Sequence, residues 1–413
     1  MARAACIVLL FIAVIRADPT CVTHHETDVV CTAGPTDHIL VRGLVSENKK
    51  TTGITLRDCR ITDVELEAFH HLPALEYIDL SSNKIRRLKL GVLDGFKKLQ
   101  ALNLSYNMLS KFPLGLFDQK PKLRMLDLKG NRFEEFELGV FDPLKKLKHV
   151  DLSSNAILGK NLNPYIFGQS RQIQSIDFSR NDMSNTPDLM LAAFENLDFL
   201  NLDRCSLNQV PRFATRLNLQ TMKHLILSTN KITSLSNPKI FRHLIKLENL
   251  NFVANSIEKI HGDIFKPLKN IQLIFLNKNK IKVIPESLFR NLQHLNNVDL
   301  SKNRIESVPV NAFRGTNLKI LNLSGNRFTY LQDNFYLELW NSGVRLSQFF
   351  FDDNPWQCSC LNDVLVEVKK YGILYRGDKY RGQRPVCVTN EFNCKRQSAS
   401  NDYYSQMYDN TIL

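Results

Sequence analysis

Apolar residues recur along this chain at a fixed interval, and the interval sets the architecture. LEYIDLSSNKIRRL begins at Leu75, LQALNLSYNMLSKF at Leu99, LRMLDLKGNRFEEF at Leu123 and LKHVDLSSNAILGK at Leu147, each 24 residues after the last. Further copies begin at Ile173, Leu197, Met222, Leu247, Ile271, Leu295 and Leu318, with a degenerate one near Thr51 and a partial one at Leu346. The frame is L-x-x-L-x-L-x-x-N-x-I-x-x-L, so the chain reads as twelve repeats and a terminal half-repeat. In L-x-L the two apolar residues lie two apart and point to one face of a strand, as in Ile78 with Leu80 and Leu102 with Leu104. Each strand is expected to pair in parallel with that of the next repeat, and roughly 18 residues return along the convex side. Phe117, Phe141, Phe265, Phe289 and Phe313 fill the core from there. Thirteen strands at ~4.8 Å make a row of about 60 Å. One repeat cannot bury its apolar face alone; stacking does.

The polar positions carry a second signal. Asn83, Asn107, Asn131, Asn155, Asn181, Asn230, Asn255, Asn279, Asn303 and Asn326 form one column. A buried amide both donates and accepts, so it can satisfy the backbone where the chain turns out of the strand. Cys59 and Cys205 occupy the same column and read as small buried substitutes. The pattern resembles the typical leucine-rich repeat. The expected fold is an α/β solenoid, a curved leucine-rich-repeat horseshoe with a parallel concave sheet and disulfide-bonded ends.

The chain ends place it. Residues 1–17, MARAACIVLLFIAVIRA, have a positive start and a short apolar run and read as a secretory signal peptide. No other stretch reaches the roughly 20 apolar residues of a membrane span. Residues 18–50 form an expected N-terminal cap, 51–345 the twelve repeats, 346–397 the half-repeat with a C-terminal cysteine cap, and 398–413 a polar tail expected to be disordered. Apart from Cys6, Cys59 and Cys205, the cysteines sit in the caps: Cys21 and Cys31, then Cys358, Cys360, Cys387 and Cys394. Four cysteines allow three pairings. Lys plus Arg exceeds Asp plus Glu by 13, which favours an anionic partner. The secretory start argues against nucleic acid as that partner.

Residues 21–397, with the NPWQCSC motif from Asn354 to Cys360, resemble extracellular leucine-rich-repeat proteins of the Toll-like-receptor ectodomain type. The absence of a span makes the chain most similar to leureptin-like insect haemolymph proteins, which bind bacterial lipopolysaccharide. The resemblance implies the pairs Cys21–Cys31, Cys358–Cys387 and Cys360–Cys394. The N-terminal cap departs from the common four-cysteine form by having two.

No G-x-S-x-G, P-loop or H-E-x-x-H motif occurs, and the expectation is a non-enzymatic protein without a cofactor or metal. The Asp column, Asp79, Asp127, Asp151, Asp177 and Asp299, reads as an ordinary part of the frame. Function then falls to the variable outward positions. Phe199, Ile226, Val253, Leu273 and Phe275 make a candidate concave apolar patch. Lys97, Lys98, Lys122, Arg124, Lys145, Lys146 and Lys148 make a candidate basic stripe. Asn103 and Asn322 begin glycosylation sequons. The expected function is innate-immune recognition of an anionic microbial lipid or glycan. The rival is an extracellular protein-binding modulator or decoy of a Toll-type receptor, or an adhesion protein, and homodimerisation stays open.

Overall fold

A computed structural model describes residues 19–380, 386–389, 392–397 and 401–412. The segment read as a signal peptide, residues 1–17, lies outside the described residues. Among them, fifteen strands join in one sheet. A hairpin, Thr20–His24 with Asp28–Thr32, opens it and is closed by Cys21–Cys31. Its second strand pairs in parallel with Gly53–Thr55, the strand of the first repeat. Twelve more three-residue strands follow in parallel register, from Tyr77–Asp79 to Gln348–Phe350.

The middle residue of each strand points inward. Ile78, Leu102, Leu126, Val150 and Ile176 are buried, and so are Leu80, Leu104, Leu128 and Leu152 just beyond the strands. From the convex side, Phe141 stacks on Phe167 at 5.0 Å, and Phe265, Phe289 and Phe313 stack in series at 6.1 and 5.6 Å. The core is therefore one continuous cluster running the length of the solenoid.

The asparagine column links coil to coil. Asn83 Nδ2 donates to Leu56 O at 2.8 Å and Leu80 O at 2.9 Å, while its Oδ1 accepts from the amides of Cys59 and Ile61 at 3.0 Å. The residue before each column position takes a left-handed conformation that turns the chain out of the sheet: Ser82, Tyr106, Ala254 and Lys302 have φ of 57°, 53°, 56° and 54°. Cys205 keeps the donor role: its thiol reaches Phe178 O at 3.3 Å, and Cys59 reaches Cys31 O at 3.4 Å.

At the far end the helix Cys358–Lys370 closes the core, with Cys358–Cys387 and Cys360–Cys394 bridged. Trp356 is buried, stacks on Phe328 at 6.1 Å and donates from Nε1 to Phe351 O at 2.8 Å. The tail departs from the expected disorder. Asn401–Ile412 is a helix. Asn401, Tyr404 and Ser405 are buried, Thr329 Oγ1 donates to Asn401 Oδ1, and Arg327 pairs with Asp409 at 2.9 Å. Its polar composition hides a face that packs through an aromatic and hydrogen bonds rather than aliphatic surface.

Candidate functional site on the concave face

Two residues of each short strand face outward, the first and the third, because strand side chains alternate. Across the strands Tyr77–Asp79, Ala101–Asn103, Met125–Asp127, His149–Asp151, Ser175–Asp177 and Phe199–Asn201, the first positions carry mainly aromatic and apolar side chains. The third positions read Asp79, Asn103, Asp127, Asp151, Asp177 and Asn201. All of these outward residues except Asp79 and Asn201 line a groove of about 400 Å3, to which Tyr77, Met125, His149 and Phe199 bring their side chains.

Each third-position side chain holds the turn after its strand. Asp127 Oδ1 accepts from the Lys129 amide at 2.9 Å, Asp151 Oδ1 from Ser153 at 2.8 Å and Asp177 Oδ1 from Ser179 at 2.7 Å. Asn103 and Asn201 make the same bond, to the amides of Ser105 at 2.9 Å and Asp203 at 3.0 Å. An amide thus serves the turn as well as a carboxylate does. The negative charges of Asp127, Asp151 and Asp177 on three successive strands are additional to it. Adjacent strands lie about 4.8 Å apart, so these like charges repel. Burial holds the Asp127 and Asp177 carboxyls above the usual carboxylate range, and Asp151 adds to both shifts. At the groove's end Tyr77 donates to Asp79 Oδ2 at 3.2 Å, and burial, then the Asp79 and Asp127 charges, push its hydroxyl up to about 12.

The other edge is basic. Arg124 and Lys148 stand immediately before Met125 and His149. Lys97, Lys98, Lys122, Lys145 and Lys146 are exposed on the turns leading into the strands, and among the described residues none of them is ion-paired. None of the seven residues of the stripe lines the groove.

The apolar patch is divided. Phe199 leans on His224 at 6.3 Å between ring centres, and Ile226 is on the next strand. The strand Asn249–Asn251 then separates Ile226 from Leu273 and Phe275, with Asn251 between Ile226 and Phe275 in register. Val253 lies past that strand, half-buried. Sequence reasoning missed the groove around Met125 and His149 because it assigned the aspartates to the frame. The signal was present: three successive Asp where Asn also occurs.

Asn103 lines the groove, and its Oδ1 also accepts from the Ser105 hydroxyl at 2.7 Å. Asn322 and Ser324 repeat the arrangement at 2.7 Å further along the sheet.

A parallel solenoid with an open, chemically sorted inner face defines a class of recognition scaffolds. The chain belongs to the leucine-rich-repeat proteins: a leucine-rich-repeat profile matches residues 50–109 and 107–157, and a BspA-type leucine-rich-repeat profile matches residues 218–339. No curated protein matches it in sequence. Among solved structures, a leucine-rich-repeat protein of Leptospira interrogans is similar at 23% identity and a TM-score of 0.63, over 79% of this chain and 84% of that one. A chain of the Toll–Spatzle complex of Drosophila is similar at 20% identity and a TM-score of 0.60, over 84% of this chain. This chain covers 57% of the length of that one. The leucine-rich-repeat domain of APL1B is similar at 19% identity and a TM-score of 0.54, over 82% of this chain and 88% of that domain. At these identities the likeness is one of fold. Among the described residues no helix is long and apolar enough to cross a membrane.

Proposed function

We propose that the protein is a secreted, non-enzymatic recognition protein of the innate-immune kind, and that its concave groove binds an extracellular protein through a basic, partly apolar segment. The observation that carries this reading is the run Asp127, Asp151 and Asp177, whose charge the turns do not need because Asn103 and Asn201 cap the equivalent turns of other coils. Three carboxylates beside Met125, His149 and Phe199 suit a cationic group on an apolar stem and disfavour an anionic one. The fold is also that of Toll in the Toll–Spatzle complex and of the LRIM1/APL1C complex, both protein assemblies.

A second reading has its own support. The exposed lysine rim, Lys97, Lys98, Lys122, Lys145 and Lys146, suits phosphate or sulfate groups of a lipopolysaccharide or glycan lying across the edge rather than in the groove. A binding panel separates the two. The mature chain is tested against an amphipathic peptide of alternating Lys and Leu, lipopolysaccharide and heparin. The groove reading expects peptide binding that is lost on Asp127→Asn with Asp177→Asn and survives reversal of Lys97, Lys98, Lys145 and Lys146 to Glu. Lipopolysaccharide or heparin binding lost on the lysine reversals, with no peptide binding, contradicts the groove and supports the rim. Glycans on Asn103 would narrow the groove, so Asn103→Gln is expected to strengthen peptide binding if that sequon is occupied.

A further inference from the structure

We propose that the protein forms a two-fold homodimer through a ridge of exposed leucines on the flank of its first four coils, away from the concave groove. Leu66, Leu90, Leu114 and Leu138 each stand nine residues before the next repeat begins and are 45%, 58%, 47% and 51% exposed. In later coils the same position holds Pro164, Asp188, Gly262 and Glu286, so the leucines are no requirement of the frame.

The leucines form one surface. Each of the last three is followed by a glycine in a left-handed turn: Gly91, Gly115 and Gly139, with φ of 86°, 83° and 94°. A Cβ on Gly115 would meet Leu90 Cδ1 at 3.4 Å, and one on Gly91 or Gly139 would meet the leucine of the preceding coil at 3.9 Å. Leu66, Leu90 and Leu114 therefore each lie against the bare backbone of the next coil, and Leu138 continues the row. A run of exposed apolar side chains at this density marks an interaction surface.

The charges beside the ridge point to a second copy as its occupant. The second coil carries exposed Arg86 and Arg87, and the fourth carries exposed Glu134, Glu135 and Glu137. Among the described residues none of these five is ion-paired within the chain. Arg87, Lys111 and Glu135 are one column, 24 residues apart. An isologous contact whose two-fold axis crosses the third coil reverses the coil order of one copy against the other. Leu114 then meets Leu114 of the second copy, Leu90 meets Leu138, and Arg87 meets Glu135, twice by symmetry. Leu66 falls opposite the exposed Tyr165 of the fifth coil. Like charges also meet: Lys111 falls opposite its own copy, and in the column Asp94, Asp118 and Asp142, whose carboxylates flank the same glycines, Asp118 falls opposite itself and Asp94 opposite Asp142. The long stem of Lys111 lets its ammonium reach water.

Sedimentation velocity of the mature chain across roughly 1–100 µM reads the proposal directly. A dimer is expected, and Leu114→Arg is expected to give a monomer with unchanged circular dichroism. Arg87→Glu is expected to weaken the dimer by about tenfold or more, and adding Glu135→Arg to restore it. Leu114→Cys is expected to give a covalent dimer under mild oxidation, because a residue on the axis faces itself within the roughly 4.5 Å between Cβ atoms that a disulfide needs. A monomer throughout, a dimer indifferent to these changes, or capture of a different protein by the ridge of a monomeric chain overturns the proposal. None of these variants touches the groove, so the outcome is independent of the groove reading.

Discussion

Asn279 shows what one side chain contributes when the repeat presents the same environment many times. Its amide donates to Phe252 O and Leu276 O at 2.9 Å and accepts from the Ile257 amide at 3.0 Å. Asn279→Ala leaves those buried groups unpaired and is expected to cost about 2–4 kcal/mol, read as a lowered thermal midpoint. The two column cysteines differ in chemistry. Burial, then Asp58, pushes the Cys59 thiol up to about 11, and burial pushes Cys205 up to about 12. Both are expected to resist a thiol reagent in the folded protein at pH 8 and to react on unfolding; rapid native labelling would contradict their placement. The opposite case is Lys120, which stands where other coils hold Phe96 or Leu144 and is fully buried, with Nζ donating to Gln119 O at 3.0 Å. Burial lowers its pKa to about 8. Below pH 8 both folded and unfolded chains carry the proton, and the full penalty of a buried charge is present. Between pH 8 and 10.5 the folded chain releases it first, so this penalty fades as pH rises. Lys120→Met is therefore expected to stabilise by about 2 kcal/mol at pH 7 and by less at pH 10. A gain that grows with pH would contradict the placement.

At the scale of elements, the three-residue strands and the phenylalanine stack were legible from spacing alone. Period two fixes which strand residues point inward, and the 24-residue interval fixes which phenylalanines meet. Phe141, with Phe167 at 5.0 Å and Phe136 at 5.1 Å, is the test: Phe141→Ala is expected to cost about 3–5 kcal/mol. The terminal helix was not legible. Twelve residues with few aliphatics give no strong periodic signal, and the partners that order it, Thr329 and Arg327, belong to a coil some seventy residues earlier. Hydrogen exchange is expected to protect the amides of the helix Asn401–Ile412 while Asn401 and Tyr404 stay buried. Exchange at the rate of free peptide would contradict its packing.

Across the whole molecule, composition and topography say different things. A surplus of 13 positive charges suggests an anionic partner for the chain at large. The concave groove is lined by Asp127, Asp151 and Asp177 and by no lysine or arginine, so its floor opposes the net charge. The sequence showed the outward positions but not their grouping: Ile226 and Phe275 read as one patch until Asn251 is seen between them. A cationic ligand needs Asp127 and Asp177 ionised. Their raised pKa values therefore predict that binding falls away on acidification at a higher pH than an ordinary aspartate would give, measured as affinity against pH.

The account turns on the aspartates being present for binding rather than for the turn, and one variant reads both. In Asp127→Asn with Asp151→Asn and Asp177→Asn, every turn keeps its cap and the mutual repulsion is gone. Thermal unfolding with and without the Lys–Leu peptide should then show a midpoint equal to or above that of the parent chain, with the peptide's stabilising shift abolished. A lowered midpoint with the peptide shift intact would place the carboxylates in the frame and the binding site elsewhere.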